Sequence, residues 1–118
     1  MILADTSVWI AHLRAGEPRL RALLEDGQVM VHPFVLGELA CGNLRKRADA
    51  LAHLRRLDAV PLVSDAEAHR LLELHRLMGK GLGWVDVHLL ASCLVSRVTL
   101  WTLDRRLAIT AEALGLAG

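Results

Sequence analysis

Residues 84–104, WVDVHLLASCLVSRVTLWTLD, decide the fold. The run from Trp84 to Ser96 is almost wholly apolar, yet it is too short to span a bilayer, and Asp86 and His88 interrupt it. It predicts a buried helix. The next apolar run, VTLWTL at 98–103, is rich in β-branched and aromatic residues and predicts a strand. Asp104 then opens a last helix reaching about Leu114. Helix, strand and helix in immediate succession are the unit of a parallel sheet covered by helices.

The same alternation continues outward from this unit. Residues 2–5 read as a short buried strand and 6–14 as a helix. Glu17-Pro18 starts another helix, with Leu20, Leu23 and Leu24 at core spacing, and Asp26-Gly27 ends it. VMV at 29–31 is a second strand. Pro33 suits the first turn of a helix running to about Cys41, with Gly42-Asn43 as its stop. A more polar helix is expected over 44–57, its apolar stripe made by Leu44, Leu51, Leu54 and Leu57. AVPLV at 59–63 reads as a short third strand, and Pro61 places it at a sheet edge. Ser64 and Glu67 match a capping box. The helix they open, with Leu71, Leu72 and Leu74 as its core positions, is expected to reach Met78. GKGLG at 79–83 is a loop. At 118 residues the chain is expected to form one domain, 1–118, an α/β three-layer sandwich.

Composition narrows the function classes. Hydrophobic residues make up 53% of the chain, above the usual soluble share, so a small domain is left with apolar surface for a partner. No basic leader with an apolar core is visible, which favours a cytoplasmic protein and no membrane association. Cys41 and Cys93 stand far apart without CxxC spacing and read as buried thiols in a reducing compartment. A net charge of +1 means that nucleic-acid binding would depend on local clusters such as Arg45-Lys46-Arg47, Arg55-Arg56 and Arg105-Arg106. Trp9, Trp84 and Trp101 suit the core or an interface, with base stacking as the other use of such side chains.

Four acids stand at awkward places. Asp5 closes the first strand, Glu38 lies inside the apolar PFVLGELACG, Asp86 sits in the first turn of the most apolar helix, and Asp104 follows the last strand. Each has a plain structural use: Asp104 and Asp86 suit a helix start, and Asp5 a strand–helix turn. Glu38 is hardest to excuse, because an unpaired carboxylate buried in mid-helix is costly. In an open α/β sheet, however, groups beyond the carboxyl ends of the strands converge on one crevice. Four converging carboxylates repel, and a divalent cation is the natural compensation. Oxygen-only ligands favour Mg2+ or Mn2+. Thr6, Ser7 and Thr102 add hydroxyls beside the acids, suited to holding them or to local turn chemistry. The histidines lack HxxxH or HExxH spacing, and no phosphate-binding glycine loop or nucleophile elbow is present.

With these positions placed, LADTSVWI, LGELACG, GWVDVHLLASCL and TLWTLDRRL together resemble the PIN-domain family, and within it the VapC-type ribonuclease toxins of bacterial toxin–antitoxin pairs. The resemblance covers nearly the whole chain. It implies a parallel sheet in the order 3-2-1-4-5. Only GLAG follows the last helix, so the fifth strand should be short or absent. It also implies Mg2+- or Mn2+-dependent endonucleolytic cleavage of RNA, homodimerisation, and a small VapB-like antitoxin covering the site. Asp5, Asp86 and Asp104 would then hold the metal, with Glu38 orienting the attacking water or holding a second ion. Arg105 and Arg106 would contact phosphate or serve a protein interface. The helices over 33–57 are the expected apolar contact surface.

Two other readings use the same residues. A small phosphatase on a similar sheet is disfavoured because Asp5 is followed by Thr6-Ser7, without the second Asp of a DxD motif. A catalytically silent PIN-like module that binds RNA or protein is disfavoured by the presence of all four acids.

Overall fold

The computed structural model describes residues 1–118. Ten elements alternate as the apolar pattern requires: β1 (Ile2–Ala4), α1 (Thr6–Ala15), α2 (Pro18–Glu25), β2 (Val29–Met30), α3 (Pro33–Cys41), α4 (Arg47–Arg55), α5 (Asp65–Leu74), α6 (Trp84–Ser96), β3 (Thr99–Trp101) and α7 (Arg105–Ala113). The three strands form a parallel sheet in the order β2-β1-β3. Leu3 of β1 faces Met30 of β2 and Leu100 of β3 across the register. Every β1 residue is buried, as expected of a central strand covered on both faces.

Two single bridges extend this sheet at its edges, Val31 with Ala59 and Leu100 with Ala117, both parallel. The five segments therefore stand in the order 3-2-1-4-5, with the outer two reduced to one bridge each. At 59–63 the expected strand does not form. Val31 donates to Asp58 O and Val60 donates to Val31 O, but the next rung would need an N–H from Pro33, which has none and already begins α3. The Pro61 carbonyl accepts from Ser92 Oγ of α6 at 2.7 Å. At the other edge, Gly118 N–H donates to Leu100 O at 2.9 Å. A Cβ at residue 118 would meet Leu100 backbone carbon at 2.9 Å, so only glycine can approach the strand this closely.

Two helices are shorter than their sequence suggests. The segment expected to be helical over 44–57 begins at Arg47, after a left-handed Lys46 with φ of 48°. The Arg47 guanidinium hydrogen-bonds Ala40 O at 2.8 Å, satisfying a carbonyl at the end of α3. Leu44 lies outside the helix. In α5 the Ser64–Glu67 capping box is present, but the helix stops at Leu74 instead of running to Met78. Arg76 takes φ of 52° and Leu77 N–H turns back to Leu72 O. That closure leaves Leu74 73% exposed, not in the core. Cys93 is buried within α6, and burial pushes its thiol up to about 12. Cys41, the last residue of α3, is exposed, against the expectation of two buried thiols. No helix is long and apolar enough to cross a membrane.

Candidate active site

The carboxyl ends of β1 and β3 lie side by side, and the chain turns into a helix directly after each. Asp5 follows β1 as the N-cap of α1, and its Oδ1 accepts from Ser7 N–H. Its Oδ2 accepts from Thr102 Oγ1, and its own N–H donates to Trp101 O at 2.9 Å. The carboxylate is buried and held at both oxygens. Thr102 Oγ1 also accepts from Asp104 N–H at 3.0 Å. Ser7 Oγ accepts from Leu103 N–H at 3.0 Å and lies 3.4 Å from Thr102 Oγ1. These hydroxyls therefore tie the two strand ends together. Asp104 caps α7 through Leu107 N–H at 2.9 Å.

The other two acids arrive on helices. Asp86 is half-buried in the first turn of α6 and accepts from Gly83 N–H through Oδ2 at 2.9 Å. Glu38 comes from α3, and its Oε1 accepts from Thr6 Oγ1 of α1 at 2.9 Å. Glu38 is exposed and partnered, which overturns the expectation of a buried, unpaired carboxylate. Its helix reads as apolar because Val35 and Leu39 are buried, while Gly37 and Glu38 turn outward.

Three of the acids act on the fourth. Burial raises the Asp86 carboxyl above the ordinary carboxylate range; the Gly83 hydrogen bond opposes this, while Asp5, Asp104 and Glu38 add to the rise. Asp86 thus feels the other three acids across one crevice. No three His, Cys, Asp or Glu side chains are gathered tightly enough to enclose a metal ion by themselves. One oxygen each of Asp86, Asp104 and Glu38 makes no hydrogen bond. An open, all-oxygen donor set fits a hard cation that keeps several of its waters, as Mg2+ does. It does not fit a closed zinc centre.

The remaining aromatic and basic groups include histidines that sequence reading passed over. Trp84 begins α6 two residues before Asp86 and is 40% exposed. Its ring lies 4.6 Å from His69 and 4.9 Å from His88, centroid to centroid. Beneath it, buried His88 shares a 3.1 Å contact from Nε2 to Asp65 Oδ1. The neighbouring His32 caps α3 by accepting from Phe34 N–H through Nδ1 at 2.9 Å. Only the position of His32 immediately before Pro33, at a helix start, hints at this role in the sequence. Trp9 is fully buried, whereas Arg19 lies over the half-buried Trp101 ring at 4.4 Å. Arg105 and Arg106 occupy the first turn of α7 beside Asp104, both exposed.

The PIN domain family model matches residues 2–113. Ribonuclease VapC32 of Mycobacterium tuberculosis, in strains CDC 1551 / Oshkosh and ATCC 25618 / H37Rv, is 47% identical over 118 residues, covering 99% of this chain and 95% of that protein. Among solved structures, the fold resembles M. tuberculosis VapC20, described as a sarcin–ricin loop cleaving toxin. The TM-score is 0.66 at 22% identity, over 99% of this chain and 97% of that one. It also resembles PAE2754 of Pyrobaculum aerophilum, with a TM-score of 0.59 at 18% identity, over 96% and 85% of the two chains.

Proposed function

The chain belongs to the PIN-domain family, and from that premise we propose that it is a metal-dependent endoribonuclease, the toxin of a toxin–antitoxin pair acting in the cytoplasm. The observation that carries this reading is that Thr102 ties Asp5 to Asp104, Thr6 ties Glu38 to α1, and Asp86 lies within reach of all three charges. The near full-length likeness to a ribonuclease supports RNA as the substrate class.

Asp5, Asp86 and Asp104 would hold the cation, Mg2+ or Mn2+, with Glu38 completing the set. Bound there, such an ion acidifies water and offsets the charge that builds on a phosphodiester under attack. Asp5 is the fixed member, since Thr102 and Ser7 N–H occupy both its oxygens and set its orientation. Glu38 has one oxygen engaged by Thr6 and the other open, which suits it to orient the attacking water and take its proton. Water, and not the ribose 2′-hydroxyl, is the nucleophile in this scheme, so the products carry 5′-phosphate and 3′-hydroxyl ends. Arg105 and Arg106 would contact the substrate phosphates or serve a protein interface.

The test is incubation of purified, partner-free protein with total bacterial RNA in Mg2+ or Mn2+. Discrete fragments with 5′-phosphate ends, lost on adding a chelator, are expected. Ends carrying 2′,3′-cyclic phosphate would rule out water as nucleophile. Chelator-insensitive binding without cleavage would favour the silent binding module.

Two partners belong to the same reading. An antitoxin segment is proposed to cover the acidic site, where Asp86, Asp104 and Glu38 each keep one carboxylate oxygen free. A second copy of the chain is proposed for a different face. The helices over 33–57, expected to supply the apolar contact surface, expose no large apolar side chain. Leu62, Leu74 and Val95 do, at 55%, 73% and 61%, and Leu74 and Val95 line a shallow α5–α6 groove of about 250 Å³. Covering such a patch offsets the cost of exposing it. Leu74→Glu is expected to convert a dimer to a monomer in light scattering, with the fold retained by circular dichroism. A variant that stays dimeric would place the interface elsewhere.

A further inference from the structure

Beside the acidic site the loop after α5 and the outer face of α7 enclose a groove of about 430 Å³. His75, Lys80 and Arg106 line it, over a floor that includes Leu77, Ile109 and Leu114, and no carboxylate does. No carboxylate lies within ion-pair distance of Lys80 or Arg106 either; the molecule's one such pair is His88 with Asp65. The groove adjoins the acids through the chain itself. Arg106 follows Asp104 by two residues, and the Lys80 loop ends at Gly83, whose N–H holds Asp86.

Arg106 is placed by the loop. Gly81 takes φ of 76°, and a Cβ there would lie 2.4 Å from Arg106 Cδ and 2.6 Å from its Nη1. The backbone conformation calls for glycine, and a side chain there would also displace the arginine lying across it. The result is an unpaired cation lying across the loop at the edge of a groove of about 430 Å³, a volume that suits one nucleotide.

We propose that this groove seats the RNA strand next to the scissile phosphate, with Lys80 and Arg106 on its phosphates and the apolar floor beneath a ribose or base. The proposal rests on the ribonuclease reading and names the residues that would bind the strand beside the acids. Cations placed on phosphates supply affinity, and an apolar floor favours an exposed base.

The test is fluorescence anisotropy with a labelled single-stranded RNA at several salt concentrations. It uses the full chain with Mg2+ and carries Asp86→Asn to prevent cleavage. Joint Lys80→Gln and Arg106→Gln substitution is expected to weaken binding about tenfold. It should also make the salt slope shallower by about 1.4, at about 0.7 for each single-strand phosphate no longer neutralised. Joint Arg14→Gln and Arg97→Gln, removing the same charge from two exposed positions outside the groove, should change neither quantity. Gly81→Ala retains every charge and should weaken binding severalfold by displacing Arg106. Equal losses in the two charge pairs would overturn the groove in favour of a diffuse field. Unchanged binding in the Lys80/Arg106 pair or in Gly81→Ala, while the unsubstituted protein cuts RNA, would overturn the groove alone. An unsubstituted protein that neither binds nor cuts RNA would overturn the ribonuclease reading and the groove with it.

Discussion

Asp86→Asn is expected to reduce RNA cleavage by about 10³-fold or more, while leaving thermal stability unchanged or slightly higher. The two effects part because this carboxylate is held against its own electrostatics. Burial disfavours its charged form, and Asp5, Asp104 and Glu38 disfavour it further. Asparagine is nearly isosteric, keeps an oxygen to accept from Gly83 N–H, and removes the charge that the other three repel. A residue kept only for folding would show the opposite pattern. Side-by-side cleavage assays and melting curves, both in metal-containing buffer and in chelator, check this. Cleavage that survives the substitution would remove Asp86 from the machinery. A large fall in melting temperature would make its role structural.

The second large effect is acid destabilisation through His32. The side chain is fully buried, and its Nδ1 accepts from Phe34 N–H at the start of α3. Burial, with His88 as a lesser contributor, lowers it from 6.5 to about 4. The folded state therefore refuses a proton that the unfolded chain accepts. This contribution is fully present above about pH 6.5 and is lost as pH falls from there towards 4, by about 3 kcal/mol in all. Protonation at Nδ1 would also cost the cap its acceptor, which links the loss to α3, the helix that presents Glu38. Urea denaturation at pH 7 and pH 4.5 measures it, with His32→Asn beside the unsubstituted protein. Asparagine caps a helix well and does not titrate. The variant should lose much less stability on acidification, whatever its absolute stability at pH 7. Parallel losses in both proteins would assign the acid sensitivity to other groups.

Much of this architecture was legible locally. The apolar run at 84–96, the strand after it and the acid at its end each follow from the side chains of a few consecutive residues. The Ser64–Glu67 capping box is likewise a four-residue signal and is present as read. The failures share a different cause. Leu74 carries the spacing of a core residue, yet it ends exposed because the chain reverses at Arg76. Glu38 reads as a buried charge from its apolar neighbours, yet α3 turns it outward to Thr6. The segment 59–63 has the composition of a strand, yet the chain it would pair with turns into α3 at Pro33, which has no N–H for the next rung.

The sequence by itself determined the order of helices and strands and put an acid at the carboxyl end of the first and last regular strands. Side-chain period, caps and turn residues act within a few positions and carry that information unaided. Tertiary structure alone decided which acids share a field, how far the sheet extends, and that Arg106 crosses Gly81. Those outcomes depend on groups far apart in the chain, such as Asp5 and Thr102, whose meeting no local pattern records.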